Sequence, residues 1–188
     1  MEDDNRLWLV RHGATEWSRS GRHTGTTDLP LLPEGEQDAR ALAGRLAGTA
    51  FRLVLTSPLQ RARRTAELAG FPDAEIDADL VEWEYGDYEG VTTAEIRESV
   101  PGWTVWSHPC PGGESAEQVG ARVDRLIARV RAVDGDVLLV SHGHTLRALA
   151  ARWVGLPTTD GRLLALDTGT ISVLGYERET AVVTRWNS

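Results

Sequence analysis

Lysine is absent from this sequence, so all 20 basic residues are arginines. The absence excludes the sites that depend on a lysine amine, namely those of Schiff-base enzymes, P-loop nucleotide-binding proteins and protein kinases. A GC-rich genome whose codons favour arginine is the simplest explanation. If the protein binds an anion, guanidinium groups, imidazoles and backbone N–H groups have to do so.

Cysteine, positive charge and long hydrophobic runs are also scarce. A single cysteine, Cys110, permits no internal disulfide and is typical of a reducing compartment. The net charge of −8 disfavours broad capture of nucleic acid or of an anionic membrane. The first apolar run, residues 7–10, is too short for a signal peptide or a membrane span. We therefore expect a cytoplasmic protein in which residues 1–188 form a single domain.

Short apolar runs alternate with segments of helical periodicity. Residues 7–10, 53–55 and 137–140 are continuously apolar, as expected for buried strands of a parallel sheet. Apolar residues at three- and four-residue intervals predict helices, as does a glycine stop after residues 61–69. The helical segments are residues 39–46, 61–69, 119–133 and 146–153, and further predicted strands are residues 163–166, 171–174 and 181–183. The pattern predicts a three-layer α/β/α sandwich with a mostly parallel central sheet.

Polar and glycine residues follow directly after the first three predicted strands. These residues are Arg11, His12 and Gly13 after the first strand, Arg61 one helical turn after the second, and His142 and Gly143 after the third. Ligand sites in open α/β sheets form at the carboxyl ends of the strands. We therefore expect the two arginines and two histidines to converge on one cleft.

The chemistry of this predicted cluster suits a phosphate ester. Guanidinium groups hold phosphate oxygens bidentately, and glycine lets the backbone approach a ligand closely. Because a neutral imidazole is nucleophilic, one histidine can attack phosphorus while the other donates a hydrogen bond. A leaving alkoxide also needs a proton, and composition alone does not choose among four neighbouring carboxylates. These candidates are Glu82, Glu84, Asp87 and Glu89.

The other histidines and the cysteine give weaker signals. His23 fits a structural loop position and a substrate contact equally, whereas His108 and His144 are expected to be structural or peripheral. The Asp/Cys spacing of a metal site is missing, so we predict no metal and no cofactor. Cys110 has no paired base and is expected in a loop near the site entrance, not as a nucleophile. The aromatic residues expected to wall the cleft are Trp17, Trp83 and Trp106.

Several segments, taken together, resemble the motifs of the histidine phosphatase superfamily, which has the phosphoglycerate mutase-like fold. They occur in the family's order at residues 9–17, 24–31, 56–62, 82–90 and 141–143, and so span nearly the whole chain. An Arg-His-Gly triplet alone would be a weak signal, but the ordered set is specific. The sequence is most similar to the branch of acid phosphatases and sedoheptulose-bisphosphatase-like enzymes.

The resemblance implies a role for each matching residue. It makes His12 the phosphorylated nucleophile and selects Glu82 as the proton donor. The residues implied to bind the substrate phosphate are Arg11, Arg61, His142, Gly143, Thr15, Ser18 and Thr24. Two positions depart from the family pattern: Ser18 replaces an asparagine common in relatives, and Trp83 replaces an arginine of the cofactor-dependent mutases.

The activity that the resemblance implies is metal-independent hydrolysis of small phosphomonoesters, such as sugar phosphates, through a phosphohistidine intermediate. The segment between Glu82 and His142 has no room for the paired-arginine insertion of the mutases, which favours water as the final acceptor. The alternatives are a cofactor-dependent phosphoglycerate mutase, a catalytically weak sensor of phospho-ligands and a protein phosphatase. The expected partner is a small-molecule substrate, with no nucleic acid or membrane, and a homodimer is left open.

Overall fold

The computed structural model describes residues 5–188. Residues 1–4 belong to the N-terminal segment for which the sequence predicts no signal peptide, and they lie outside the described residues. The strands are β1 (Leu7–Arg11), β2 (Leu53–Thr56), β3 (Glu75–Ile76), β4 (Val137–Ser141), β5 (Ile171–Glu177) and β6 (Thr180–Arg185). The α-helices are α1 (Glu16–Ser20), α2 (Pro33–Leu46), α3 (Gln60–Leu68), α4 (Thr93–Ser99), α5 (Ala116–Arg131) and α6 (Gly143–Trp153). Short 3₁₀ helices cover Ala78–Leu80, Gly86–Tyr88 and Thr158–Leu163. Within this described range, no helix combines the length and apolar character needed to cross a membrane.

The strands form one six-stranded sheet in the order β3-β2-β4-β1-β5-β6. Strand β4 pairs in parallel with both β1 and β2, and β2 pairs in parallel with β3. Strand β5 runs antiparallel to its neighbours β1 and β6. The register aligns Arg11 with Ser141 and Thr56 with Val140, so β1, β2 and β4 end together at one edge of the sheet.

Helices cover both faces of this sheet. Alternate side chains of a strand point to opposite faces, so Leu7 and Leu9 belong to one apolar cluster and Trp8 and Val10 to the other. Helices α5 and α6 supply the first cluster, and α2 and α3 supply the second. Burial on both faces explains why the parallel strands are continuously apolar in the sequence. The predicted mostly parallel three-layer sandwich is confirmed.

The strand predicted at residues 163–166 is wrong. This segment is the end of a 3₁₀ helix followed by a stretch without regular structure. Leu163 is 61% exposed, whereas Leu166 is buried and its carbonyl group accepts a hydrogen bond from Arg11. Strand β5 already occupies the place beside β1, so this apolar run does not join the sheet there. Strand β3 was not predicted because its two residues are exposed and too few to show a pattern.

Candidate active site

A cleft of about 240 Å³ opens where β1 and β4 end. Its lining residues come from the end of β1, from α1 and the loop after it, from the Glu82 loop and from the starts of α4 and α6. They are Arg11, His12, Ser18, Gly21, Arg22, His23, Thr24, Glu82, Tyr85, Thr93, Gly143, His144 and Arg147. A larger cavity of about 720 Å³ lies beside α3, but no histidine lines it.

His12 is held in the form that a nucleophile requires. Its Nδ1 lies 2.7 Å from the carbonyl oxygen of Gly13, which can only accept a hydrogen bond. The proton therefore sits on Nδ1, and Nε2 keeps its lone pair. Burial, together with the charges of Arg61 and Arg11, lowers the pKa of His12 well below its usual value of 6.5. The imidazole is neutral at physiological pH and able to attack an electrophile.

Arg11 places an unpaired donor beside the start of α6. Its guanidinium group donates to the carbonyl of Leu166, but Nε is buried and has no hydrogen-bond partner within residues 5–188. A Cβ atom on Gly143 would lie 3.3 Å from both Cζ and Nε of Arg11, so glycine leaves room for the guanidinium group. Burial lowers the pKa of Arg11 from its usual value, yet a guanidinium group remains charged in proteins. An oxyanion in the cleft would satisfy this donor.

Arg61 and His142 lie directly behind His12 and do not line the cleft. Arg61 is fully buried: its Nε donates to His142 Nδ1 at 3.1 Å, and its terminal nitrogens donate to three carbonyl groups within residues 24–27. His142 Nδ1 therefore accepts, and its Nε2–H donates to Ser57 Oγ at 2.7 Å. The rings of His142 and His12 are 5.1 Å apart. The structure thus brings all four motif residues together, with Arg61 and His142 bonded to protein groups.

Glu82 caps the N-terminus of α6 from the cleft wall. Its Oε1 accepts from the N–H groups of Trp83 at 2.8 Å and Thr145 at 2.9 Å, and lies 3.1 Å from the Thr145 hydroxyl. Among residues 5–188, its Oε2 accepts only from the N–H of His144, at 3.0 Å. Helix N-termini favour a carboxylate. Since Oε2 has one protein donor, it is the oxygen free to exchange a proton with a bound molecule.

A buried ion pair that the sequence did not reveal holds the Glu82 loop. Arg122 of α5 donates to both carboxylate oxygens of Glu114, at 2.8 and 3.0 Å. The Glu114 carboxylate also accepts from the N–H of Glu84 at 3.0 Å, and its carbonyl accepts from the Trp83 indole at 2.9 Å. The pair links a loop to a helix, so no single periodicity predicts it. It fixes the backbone that follows Glu82.

The remaining residues implied by the resemblance divide between the cleft and its support. Ser18, Thr24 and Gly143 line the cleft. Thr15 is buried at the start of α1, where its hydroxyl accepts from the N–H of Ser18 at 3.2 Å. Thr15 therefore shapes the turn that presents Ser18.

Several sequence interpretations need correction. His144 was expected to be structural or peripheral, but it lines the cleft. Cys110 is buried and does not line the cleft, and burial raises its thiol pKa to about 11, so the thiol stays protonated. The three tryptophans expected as cleft walls are not among its lining residues, and Trp106 packs behind His144 instead.

The sequence analysis did not single out five residues that line the cleft. These are Gly21, Arg22, Tyr85, Thr93 and Arg147. Arg147 lies one helical turn after Gly143 on α6, a spacing that does indicate a shared face. The other four come from separate loops and a helix start, so only the tertiary structure places them together. Among the described residues, no group of three His, Cys, Asp or Glu side chains is arranged to hold a metal ion.

Comparison with known proteins adds a second line of support. A family model described as the histidine phosphatase superfamily (branch 1) matches residues 7–188. The acid phosphatase of Mycobacterium tuberculosis is 46% identical over 188 residues, which cover 96% of this chain and 92% of that protein. The sedoheptulose 1,7-bisphosphatase of Saccharomyces cerevisiae is 38% identical, over 80% of this chain and 68% of its own length. A solved structure of an open reading frame from Mycobacterium tuberculosis superposes with a TM-score of 0.92 at 44% identity, covering 98% of this chain and 97% of that one.

Proposed function

This chain belongs to the histidine phosphatase superfamily (branch 1), and on that premise we propose that it hydrolyses small phosphomonoesters through a phosphohistidine at His12. The predicted family and its general activity, hydrolysis of phosphomonoesters, are confirmed by the family match and by relatives that are phosphatases. The covalent intermediate and the roles of individual residues are our proposal. They rest on the geometry of the cleft.

The observation that carries the proposal is the hydrogen bond from His12 Nδ1–H to the Gly13 carbonyl. It leaves the Nε2 lone pair as the nucleophile, and burial of the ring keeps it unprotonated. In the first step Nε2 attacks phosphorus, a P–N bond forms and the P–O bond to the leaving group breaks. The leaving oxygen takes a proton from Oε2 of Glu82.

The second step returns the enzyme to its starting state. The Glu82 carboxylate takes a proton from water, and the resulting hydroxide attacks phosphorus. The P–N bond breaks, its electron pair returns to Nε2 and inorganic phosphate leaves. Glu82 is thus acid in one step and base in the next, which the single protein donor on its Oε2 allows.

The charge that develops on the phosphoryl oxygens needs fixed donors. Arg11 supplies the buried Nε that lacks a protein partner, and Gly143 keeps a side chain away from it. Arg61 adds positive charge directly behind His12 and orients His142, whose Nε2–H is already donated to Ser57. Donors that are held in place before the reaction act strongly in a site shielded from water.

Trp83 supports a phosphatase over a phosphoglycerate mutase. The resemblance puts an arginine of the mutases at this position. The Trp83 side chain is buried in the core and its indole N–H donates to the Glu114 carbonyl, so it is not available to bind a substrate carboxylate. We propose water, not a second substrate hydroxyl, as the acceptor.

Mass spectrometry tests for the phosphohistidine intermediate, whose P–N bond is sensitive to acid. The protein is mixed with a generic phosphomonoester, quenched at alkaline pH to preserve a P–N bond, digested and analysed. We expect a phosphate on the peptide that contains His12. In His12→Ala this phosphate should be absent, and turnover should fall by about 10³-fold or more.

His108→Ala is the matched control, because His108 lies outside the cleft and bonds only to Ser107 within the described part of the chain. It should retain the label and the turnover. Substantial turnover by His12→Ala, or phosphate found on another residue of the wild-type protein, would contradict the proposal.

We also propose that the protein acts in the cytoplasm, without a metal ion. The single cysteine supports that location, because it is typical of a reducing compartment. The substrate charge is handled by guanidinium and imidazole groups, so the reaction as proposed has no step that requires a metal. The oligomeric state stays a prediction.

A further inference from the structure

Two imidazoles in the cleft have no part in the proposed reaction. The rings of His23 and His144 both line the cleft, with planes 15° apart and centroids 6.3 Å apart. Neither ring attacks phosphorus or protonates the leaving oxygen. Their position beside the reacting groups makes them candidates for contact with the leaving alcohol.

His144 offers an N–H group to the cleft. The hydroxyl of Tyr85 lies 2.5 Å from His144 Nδ1. Burial raises the pKa of Tyr85 well above its usual value, so the phenol keeps its proton, and His144 Nδ1 is its acceptor within residues 5–188. With the phenol as the donor, the proton of His144 sits on Nε2, which has no protein hydrogen bond in the same range.

His23 offers the opposite polarity. Its Nδ1 lies 2.6 Å from the carbonyl oxygen of Val91, so Nδ1 carries the proton and donates. Nε2 of His23 then has a lone pair, again without a partner in the part of the chain that the structure describes. Burial lowers the pKa of both His23 and His144, so both rings are neutral near pH 7.

Aromatic neighbours fix both rings. His23 packs against Tyr85 at 4.8 Å and Trp103 at 5.2 Å, and His144 packs against Trp106 at 5.2 Å. The two Nδ1 hydrogen bonds also hold the rings against flipping. A donor and an acceptor held in this way recognise a ligand without a large loss of entropy.

The two arginines that share this part of the cleft each have a guanidinium nitrogen bonded to the backbone and keep further N–H donors free. Arg22 donates to the carbonyl of Gly90 at 3.0 Å, and Arg147 donates to that of Gly161 at 3.1 Å. Unlike these cationic groups, the two imidazoles are neutral, and each has one nitrogen without a hydrogen-bond partner among the described residues. A second phosphate or carboxylate has only acceptor oxygens and would meet the lone pair of His23 unfavourably, whereas a hydroxyl group both donates and accepts.

We propose that His23 and His144 form a subsite for hydroxyl groups of the leaving alcohol, so that the preferred substrates are phosphate monoesters of polyols, such as sugar phosphates. His144 Nε2–H donates to a substrate hydroxyl, and His23 Nε2 accepts from one. The inference rests on the proposed function, because bond formation at His12 determines where the alcohol lies. The two histidines are specificity-determining residues and take no part in the bond-breaking step.

The test removes each recognising nitrogen while keeping the bond that holds the side chain. Asparagine places an amide atom where histidine has Nδ1 and nothing where it has Nε2. In His23→Asn the amide nitrogen can still donate to Val91, and in His144→Asn the amide oxygen can still accept from Tyr85. His108→Asn makes the same change on a histidine outside the cleft.

The substrates are sn-glycerol 3-phosphate and propyl phosphate, which differ in two hydroxyl groups and carry the same charge. For the wild-type protein we expect kcat/KM to be about ten- to a hundredfold higher for the glycerol ester. His23→Asn and His144→Asn should each lower the ratio of kcat/KM for the glycerol ester to kcat/KM for propyl phosphate by about three- to tenfold. His108→Asn should not change this ratio.

Equal turnover of the two esters by the wild-type protein would overturn the subsite, and so would an equal fall for both esters in the variants. Dissociation constants are measured by calorimetry for both esters on His12→Ala and on His12→Ala combined with each asparagine variant. If the wild-type protein hydrolyses neither ester, the proposed function has failed. The calorimetric data then test the subsite separately. Tighter binding of the glycerol ester by His12→Ala, lost in the combined variants, would support it, and equal binding of the two esters would overturn it.

Discussion

At the scale of single residues, the neighbour of each histidine's Nδ1 decides what the ring can do. The Nδ1 atoms of His12 and His23 face carbonyl oxygens and must donate. That of His142 faces the guanidinium group of Arg61 and must accept, and that of His144 accepts when the Tyr85 hydroxyl donates. Each partner therefore determines whether the ring presents a lone pair or an N–H group at Nε2. Histidine thus supplies the proposed nucleophile (His12), a structural donor (His142) and the proposed pair that recognises the substrate hydroxyls (His23 and His144).

Gly143 gives the first residue-scale prediction. Gly143→Ala would place a Cβ 3.3 Å from Cζ and Nε of Arg11, which is tighter than ordinary contact and shifts the guanidinium group. We expect kcat/KM for a generic phosphomonoester to fall by about tenfold, since small displacements of positioning groups are costly to catalysis. The free energy of unfolding should change by less than about 1 kcal/mol, because Gly143 has no positive φ and alanine favours a helix.

Gly44→Ala is the matched control for that change. Gly44 also lies in a helix, and nothing is within 4 Å of the position of its Cβ. This variant should retain full activity and gain about 0.5–1 kcal/mol of stability. An equal loss of activity in both variants would show that the Arg11 contact has no special role.

At the scale of elements, the site depends on how the Glu82 loop crosses the loop before α5. The backbone of Gly86 has a φ of 54°, and its Cβ would lie 2.1 Å from the carbonyl oxygen of Pro111. The N–H of Asp87 donates to the same oxygen at 2.8 Å. The two loops therefore touch backbone to backbone, and the contact supports the segment between Glu82 and α5.

We expect Gly86→Ala to destabilise the protein much more than Gly102→Ala. Gly102 has a φ of 79°, but nothing lies within 4 Å of the position of its Cβ. Its substitution should cost about 1–2 kcal/mol, the penalty for a left-handed backbone alone. Gly86→Ala should cost at least about 2 kcal/mol more, because the backbones must also separate.

Urea denaturation of the wild-type protein and the two variants measures this difference. Because both glycines have positive φ, subtracting the two costs isolates the contribution of the loop contact. Similar unfolding midpoints for the two variants would mean that the loops can separate without loss, contrary to the close approach described here.

At the scale of the whole molecule, the fold buries several imidazoles as neutral groups. Burial lowers the pKa of His12, His142 and His144 well below the usual value of 6.5, with added repulsion from neighbouring cations. In the unfolded chain these imidazoles regain ordinary pKa values. Below about pH 6.5 the unfolded chain therefore takes up protons that the folded protein does not, and unfolding becomes easier.

The free energy of unfolding should accordingly fall as the pH is lowered from about 7 to about 5, by up to about 1.4 kcal/mol per pH unit for each of these imidazoles. Above about pH 6.5 their contribution is complete and adds no slope. Urea denaturation at several pH values measures the effect. His144→Asn, which removes one of the titrating groups, should reduce the slope, and stability that stays constant or rises toward pH 5 would contradict the prediction.

Much of the site could be predicted from the sequence, because its chemistry follows directly after strands. Continuous apolar runs identified β1, β2 and β4, and ligand sites lie at the carboxyl ends of such strands. These two rules are enough to place His12, Arg11, Arg61 and His142 in one region. The apolar run at residues 163–166 misled the same reasoning, because local hydrophobicity does not show whether a sheet edge is available.

The sequence alone specifies the parallel strands β1, β2 and β4, the layered arrangement and the motif residues, since these follow from local periodicity and from what adjoins each strand. Strand β3 and the order of the strands came only from the structure. Only the tertiary structure decided which nitrogen of each histidine is available, which arginine keeps an unpaired donor and which loop residues line the cleft. The physical reason is that hydrogen-bond partners and burial come from segments distant in the chain. Val91 and Tyr85 set the roles of His23 and His144 across separations of 68 and 59 residues.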